Sequence, residues 1–217
     1  LILMGHAASG ASGINSVIRI NNVADVEAGR EEAELKFGVG SELAAMVVAA
    51  IEANQGGGTF PVIKCVPLAD SETSIPQAAQ DAIKAARAEI SFLVSPYDMQ
   101  NATAERTILK SLALTMSGAQ RVENRQFGTF GVGANFDVVE PSTLFAFDTQ
   151  FMIGVYKRDL APAKSLGETA ARAAAVMAAN GIPFNPLDDR TLVGEAAPDA
   201  EADWLTVGGG LESETAL

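Results

Sequence analysis

SELAAMVVAAIEANQGGGTFPVIKCVPL, residues 41–68, sets a helix directly before a strand, and its reading decides the fold. Leu43, Met46, Val47, Ala50 and Ile51 fall at helical spacing and make one apolar stripe. Ser41 is a natural N-cap, and Glu42 suits the positive first turn of a helix. Three glycines at 56–58 are expected to end the helix, because glycine takes the left-handed conformation a C-terminus needs. TFPVIKCVPL then reads as a strand, rich in β-branched residues and bounded by prolines.

The same alternation extends in both directions. Upstream, Leu1–Met4 is short and wholly apolar, as a strand buried on both faces would be. INSVIRI (14–20) reads as an edge-like second strand, and a short helix is expected near residues 23–36. Downstream, SIPQAAQDAIKAARAE is an amphipathic helix entered through Pro76, and ISFLVSPYD is the next buried strand. A helix over about 102–122, strands in FGTFGVG and LFAFDTQFMIGVY, and a helix in SLGETAARAAAVMAAN complete the rhythm. Strands alternating with helices predict an α/β fold, with a largely parallel or mixed central sheet flanked by helices. Residues 1–180 form one such core domain. Residues 181–217 are rich in proline and acids and read as an extended segment leading toward a C-terminal part beyond this chain. The chain lacks an initiator methionine and opens inside a core strand, so it reads as a core trimmed at its ends.

Composition narrows the function. The net charge is -12, from 27 acidic and 15 basic residues, an excess that repels phosphate backbones and anionic lipid. Nucleic acid is therefore not an expected partner. No apolar run reaches the roughly 18 residues a bilayer span needs, so membrane insertion is not expected either. The single cysteine, Cys65, lies in an apolar run and reads as a buried small hydrophobe.

The opening LILMGHAASGAS fits seven of eight positions of the phosphate-binding G-x-x-x-x-G-K-[ST] pattern, from Gly5 through Gly10 to Ser12. Ala11 stands where the lysine belongs, and no basic residue precedes Arg19. Without that charge the backbone amides are a weak anion site, and the glycines read as turn residues. His6, the one histidine, lies near Ser9 and Ser12, but no nucleophile elbow surrounds them; it reads as solvent-facing or capping. A lone histidine supplies no metal site. The carboxylate pairs Glu31–Glu32, Asp188–Asp189 and those around Asp199–Asp203 read as solvated faces, and SPYD (95–98) occupies a strand end where α/β proteins place active sites. These residues give no catalytic, cofactor-binding or metal-binding set, which directs the reading toward a structural role. The other reading is an α/β nucleotide- or small-ligand-binding protein using the Gly5–Ser12 turn.

FGVGSELAAMVVAAIEANQ, followed by PVIKCVPLAD, resembles the core of Mu-like contractile phage tail sheath proteins. Phe37, Gly38, Gly40, Ser41, Leu43, Met46, Asn54, Pro67, Leu68, Ala69 and Asp70 stand in the places of the family's motif. LILMGHAASG, NNVADVEAGREEAELKFG, ISFLVSPYD and WLTVGGGLESETAL are similar to other family segments, in the same order. The family usually inserts a β-rich domain between the PLAD-like and SPYD-like strands; only about twenty residues, mostly one helix, separate them here. The resemblance implies a structural subunit of a contractile tail, with no cofactor and no enzymatic activity. It implies neighbouring sheath subunits, joined helically by strand addition through terminal arms, a tail tube protein and a baseplate as partners. It also implies assembly in a bacterial host's cytoplasm, residence in the virion tail, and contraction that drives genome ejection.

Ala49 and Ala50 lie within the helix predicted over 41–55. Replacing either by leucine is expected to overpack it at a cost of roughly 1–3 kcal/mol, read by chemical denaturation. Wild-type stability in both variants would mean that the buried face is wrongly drawn.

Overall fold

A computed structural model describes residues 1–55, 60–86, 91–99, 101–121, 129–134, 152–155, 165–180, 206–208 and 211–213. The strands are β1 (Ile2–His6), β2 (Ile18–Ile20), β3 (Ile63–Leu68), β4 (Ser91–Val94), β5 (Thr129–Ala134), β6 (Met152–Val155), β7 (Thr206–Gly208) and β8 (Leu211–Ser213). The helices are α1 (Val26–Phe37), α2 (Glu42–Glu52), α3 (Gln77–Ala86), α4 (Thr103–Arg121) and α5 (Leu166–Asn180). One mixed sheet runs in the order β2-β3-β1-β4-β5-β6-β7-β8. The strands from β3 to β6 are parallel neighbours, while β2, β7 and β8 pair antiparallel. The fold is α/β, as the alternation predicts. Of the 181–217 segment, only the two strands β7 and β8 lie within the described residues, and they extend the sheet beyond β6.

Helices cover both faces. Leu3, Val94, Phe92 and Val132 point to one face and pack with α1, α2 and α5. Ile2, Met4, Val66, Leu68 and Leu93 point to the other and pack with α3 and α4. This alternation along apolar strands is what burial on both faces requires. Cys65 is fully buried, and burial pushes its thiol far above the usual range, as a small hydrophobe's place demands.

The best-read helix, α2, starts where expected: the Ser41 hydroxyl accepts the Ala44 amide at 3.3 Å. It stops earlier than expected. Residues 56–58 lie outside the described residues, and the helix ends at Glu52 with Ala53 still in helical conformation. The side-chain amide of the buried Asn54 donates to the Ala50 carbonyl at 3.3 Å and so satisfies one of the last helical carbonyls.

β2 is shorter than the 14–20 run, because the turn before it uses positive φ at Gly13 (72°) and Asn15 (58°). Its outer edge is blunted by α1. Lys36 Nζ donates to the Arg19 carbonyl at 2.8 Å, and the Glu32 carboxylate accepts the amides of Asn21 and Asn22. Glu32 is thus no solvated surface carboxylate. Burial pushes its pKa up, but the Lys36 bond and the two amides outweigh that and hold it below the ordinary value. Pro67 is accommodated inside β3 because its nitrogen faces the side where β2 has already ended; the last β2 partner is Cys65.

Phe37, Gly38 and Gly40 make the corner between α1 and α2. Phe37 is fully buried, its carbonyl accepts the Ala8 amide at 2.7 Å, and the Gly38 amide closes α1 on the Glu34 carbonyl. Both glycines have positive φ, 95° and 71°. A Cβ at Gly38 would overlap the Ala8 side chain, whereas one at Gly40 meets nothing within 4 Å. Gly40→Ala is therefore expected to cost only the left-handed strain, about 1–2 kcal/mol. Gly38→Ala adds a collision and is expected to exceed that by about 1–3 kcal/mol. Equal losses in urea denaturation would refute this account of the corner.

Candidate functional site

In the parallel order β3-β1-β4-β5-β6, the chain leaves β1 for β3 on one side, then crosses back by α3 to β4 on the other. The carboxyl ends of β1 and β4 flank the point where the winding reverses, which is where α/β sheets open a crevice. A cleft of about 500 Å³ adjoins this point on the β1–β3 side. His6 at the end of β1, Ser9 in the following turn, Ser41 and Glu42 at the start of α2, and Asp70 and Glu72 after β3 line it.

His6 lines this cleft and is part-buried rather than freely solvent-facing. Its side chain is 22% exposed, its Nδ1 lies 2.5 Å from Oε2 of Glu42, and its Nε2 lies 2.8 Å from the Glu72 carbonyl. The His6 amide also donates to the Glu42 carboxylate at 3.2 Å. Tyr97, from SPYD, meets the imidazole edge-on with ring centroids 5.6 Å apart. The Glu42 hydrogen bond pushes the His6 pKa up, against the opposing effect of burial; the charge of Glu42, the Glu72 carbonyl and Asp70 push the same way. Burial, then the charges of Glu105, Glu42 and Glu72, push the Tyr97 phenol up, so it stays protonated.

Sequence spacing alone gave no sign of this arrangement. Glu42 is 36 residues from His6 and Glu72 is 66 away, and no motif joins them. Both ring nitrogens are engaged, so His6 cannot serve Ser9 or Ser12 as a base in this geometry. Elsewhere SPYD acts as a turn. The Ser95 hydroxyl accepts the Tyr97 amide at 3.2 Å, and Asp98 accepts the Asn101 amide at 3.1 Å. Asp188–Asp189 and Asp199–Asp203 lie outside the described residues. Among the described residues no group of three or more His, Cys, Asp or Glu side chains is placed to hold a metal ion.

The Gly5–Ser12 turn has a separate concavity of about 220 Å³, lined in part by Ser9, Gly10 and Asp70. The turn departs from a phosphate loop in a way the sequence did not reveal. After Ser12 the chain bends into the antiparallel strand β2, so no helix N-terminus aims its amides at this space. Ala11 donates its amide to the Ala8 carbonyl at 3.0 Å, which spends one amide inside the turn. Glu42, Asp70 and Glu72 give the neighbouring cleft a negative lining.

A further groove of about 230 Å³ runs between α1, α2 and α5. Its floor is an ion pair, Arg172 to Glu52 at 2.7 Å, with Arg30 at 3.9 Å from the other Glu52 oxygen. The Arg172 side chain is only 1% exposed, which makes this an internal tie between α5 and α2.

No family model and no curated protein matches the chain.

A negatively lined cleft should not take up phosphate. Magnesium ATP or inorganic phosphate, added to millimolar concentration, is expected to leave the Tm unchanged. A saturable rise that disappears in Gly10→Val would put phosphate in the turn and overturn this reading.

Proposed function

We propose that the chain is the core of a contractile tail sheath subunit, a structural protein that polymerises helically around a tail tube. One observation carries the reading. The two halves of the motif that resembles the Mu-like sheath family converge on the end of β1. From the first half, the Phe37 carbonyl accepts the Ala8 amide; from the second, the Leu68 carbonyl accepts the Ala7 amide at 2.9 Å. Gly40, Ser41 and Asp70 then face one another across the cleft. The similarity thus follows a single structural corner, where each residue type answers a physical demand, rather than scattered positions.

Other features agree with this role. A sheath subunit needs a rigid block that transmits force, and the close-packed two-faced sheet is one. It works by moving between packings of the same subunits, which calls for no hydrolytic centre. Heterologous contacts whose rotation does not close generate a helix. A neighbour's arm would add as a strand. The α1 side chains that occupy the β2 edge direct such addition away from β2. Neighbouring sheath subunits, a tube protein and a baseplate are the partners this function entails, in a virion tail assembled in a bacterial cytoplasm. The cleft at the switch point favours the second reading, a small-ligand binder, in which Ser9, Ser41 and Asp70 would contact a neutral or cationic ligand.

Negative-stain electron microscopy tests the proposal, applied to the 217-residue chain and to forms lengthened by whatever its reading frame encodes at either end. Striated tubes or rings from a lengthened form are expected. Lengthened forms that stay monomeric at high concentration would overturn the sheath reading.

A further inference from the structure

Both ring nitrogens of His6 face oxygen atoms that can only accept. Nδ1 meets the carboxylate of Glu42, and Nε2 meets the main-chain carbonyl of Glu72. A neutral imidazole carries one N–H and one lone pair, so it can satisfy one of these oxygens while repelling the other. The imidazolium satisfies both. Glu42 has two reasons to remain the carboxylate of the pair. It sits in the first turn of α2, where the helix dipole favours negative charge, and it also accepts the His6 amide.

The two links join three pieces of chain: the end of β1, the start of α2, and the connection 69–76 between β3 and α3. Asp70, Ser71, Thr73 and Ser74 are exposed in that connection, and Glu72 is the half-buried residue at its middle. Ionisable groups approach the ring from every side. Glu42 comes from α2, Asp70 and Glu72 from the connection, and Tyr97 from the segment after β4, with Glu105 of α4 behind it. All but the phenol are acidic.

We propose that His6 is a proton-operated latch that, while protonated, pins the β3–α3 connection to the first turn of α2 and, on losing its proton, releases the Glu72 carbonyl. The charged acceptor holds the remaining N–H, because a hydrogen bond to a carboxylate is the stronger of the two. Release therefore falls on the connection and widens the cleft at the switch point. The raised His6 pKa puts this event above the ordinary imidazole value of about 6.5. The sign for stability follows. The latch's contribution is complete below about pH 6.5 and is lost as pH rises through the higher folded-state value.

The chain has one histidine, so its ring nitrogens give unambiguous NMR signals. At pH 6 both are expected to be protonated, with a titration midpoint above about 6.5. As pH passes that midpoint, amides of 70–74 should exchange faster than the tenfold per pH unit that base catalysis alone gives. Glu42→Gln is expected to lower the midpoint. His6→Gln should remove the excess exchange and narrow its Tm gap to wild type between pH 6 and 9. The wild-type titration decides the matter even if neither variant folds. A midpoint at or below the free imidazole value would overturn the latch. So would loop exchange that follows base catalysis alone while the ring titrates.

Discussion

Met46 is the point on which the packing turns. It projects from α2 into a space bounded by two glycines, Gly5 of β1 and Gly167 of α5. A Cβ at either would stand 2.8 Å from its sulfur. At Gly5 the backbone of Leu43 is also only 3.3 Å from that hypothetical carbon. Strand, helix and helix therefore approach closely, and a side chain at either glycine would have to displace the flexible thioether that fills the space. The contact is tightest on the strand side, where the Leu43 backbone also meets Gly5, so α2 packs directly on β1 while Met46 fills the space to α5. Alanines complete the arrangement: Ala49 and Ala50 of α2, and Ala170, Ala171, Ala173, Ala174 and Ala175 of α5, are all buried. Dense contact between small side chains replaces the bulky aromatic core that the composition does not supply.

Charge is used sparingly inside this block, and each instance ties elements distant in sequence. Arg172 and Glu52 join α5 to α2 across 120 residues. Arg172 is buried while Glu52 is part-exposed, so removing Glu52 would leave the buried guanidinium without this carboxylate. The pair therefore ties the two alanine-rich helices at one fixed point. Glu32 and Lys36 do the same at the periphery, holding the β2 edge to α1 rather than leaving it to another chain.

The elements were legible wherever one physical rule governed a long enough stretch. The 3.6-residue stripe from Leu43 to Ile51 gave α2 and its buried face, and unbroken apolar runs gave β1, β3 and β4 as central strands. Ser41 announced its cap correctly. The end of α2 was less legible: the helix stops at Glu52, before the glycines, and the buried Asn54 amide that meets the Ala50 carbonyl carries no periodic mark. The site was the least legible part. Ionic and hydrogen-bond partners such as His6–Glu42–Glu72 are brought together by the topology of the sheet, and nothing periodic marks them. Glu32 read as solvated for the same reason, since its acceptor role depends on where α1 lies over the turn after β2. The phosphate-loop pattern was set aside on its missing lysine, and the fold adds a second reason. After Ser12 the chain bends into a strand instead of a helix, so the turn lacks the helix N-terminus that follows a phosphate loop.

The central packing also decides which way the site can yield. Glu42 and Met46 are four residues apart and share one face of α2, so the helix that holds the imidazolium's carboxylate is the helix locked between the two glycines. His6 follows Gly5 directly, and its own amide is bound to Glu42. Separating α2 from β1 would therefore open the buried Met46 contact and break the His6 amide bond to Glu42, a larger loss than freeing one carbonyl on the connection. The third party, the Glu72 carbonyl, belongs to an exposed connection anchored by Ile75 at its far end and by β3 at its near end. Strain created at the imidazole relaxes there most readily, because the connection is exposed and the carbonyl is its link to the ring. A rigid core and a yielding rim are then two consequences of one arrangement, glycine on the strand and a carboxylate one helical turn above it.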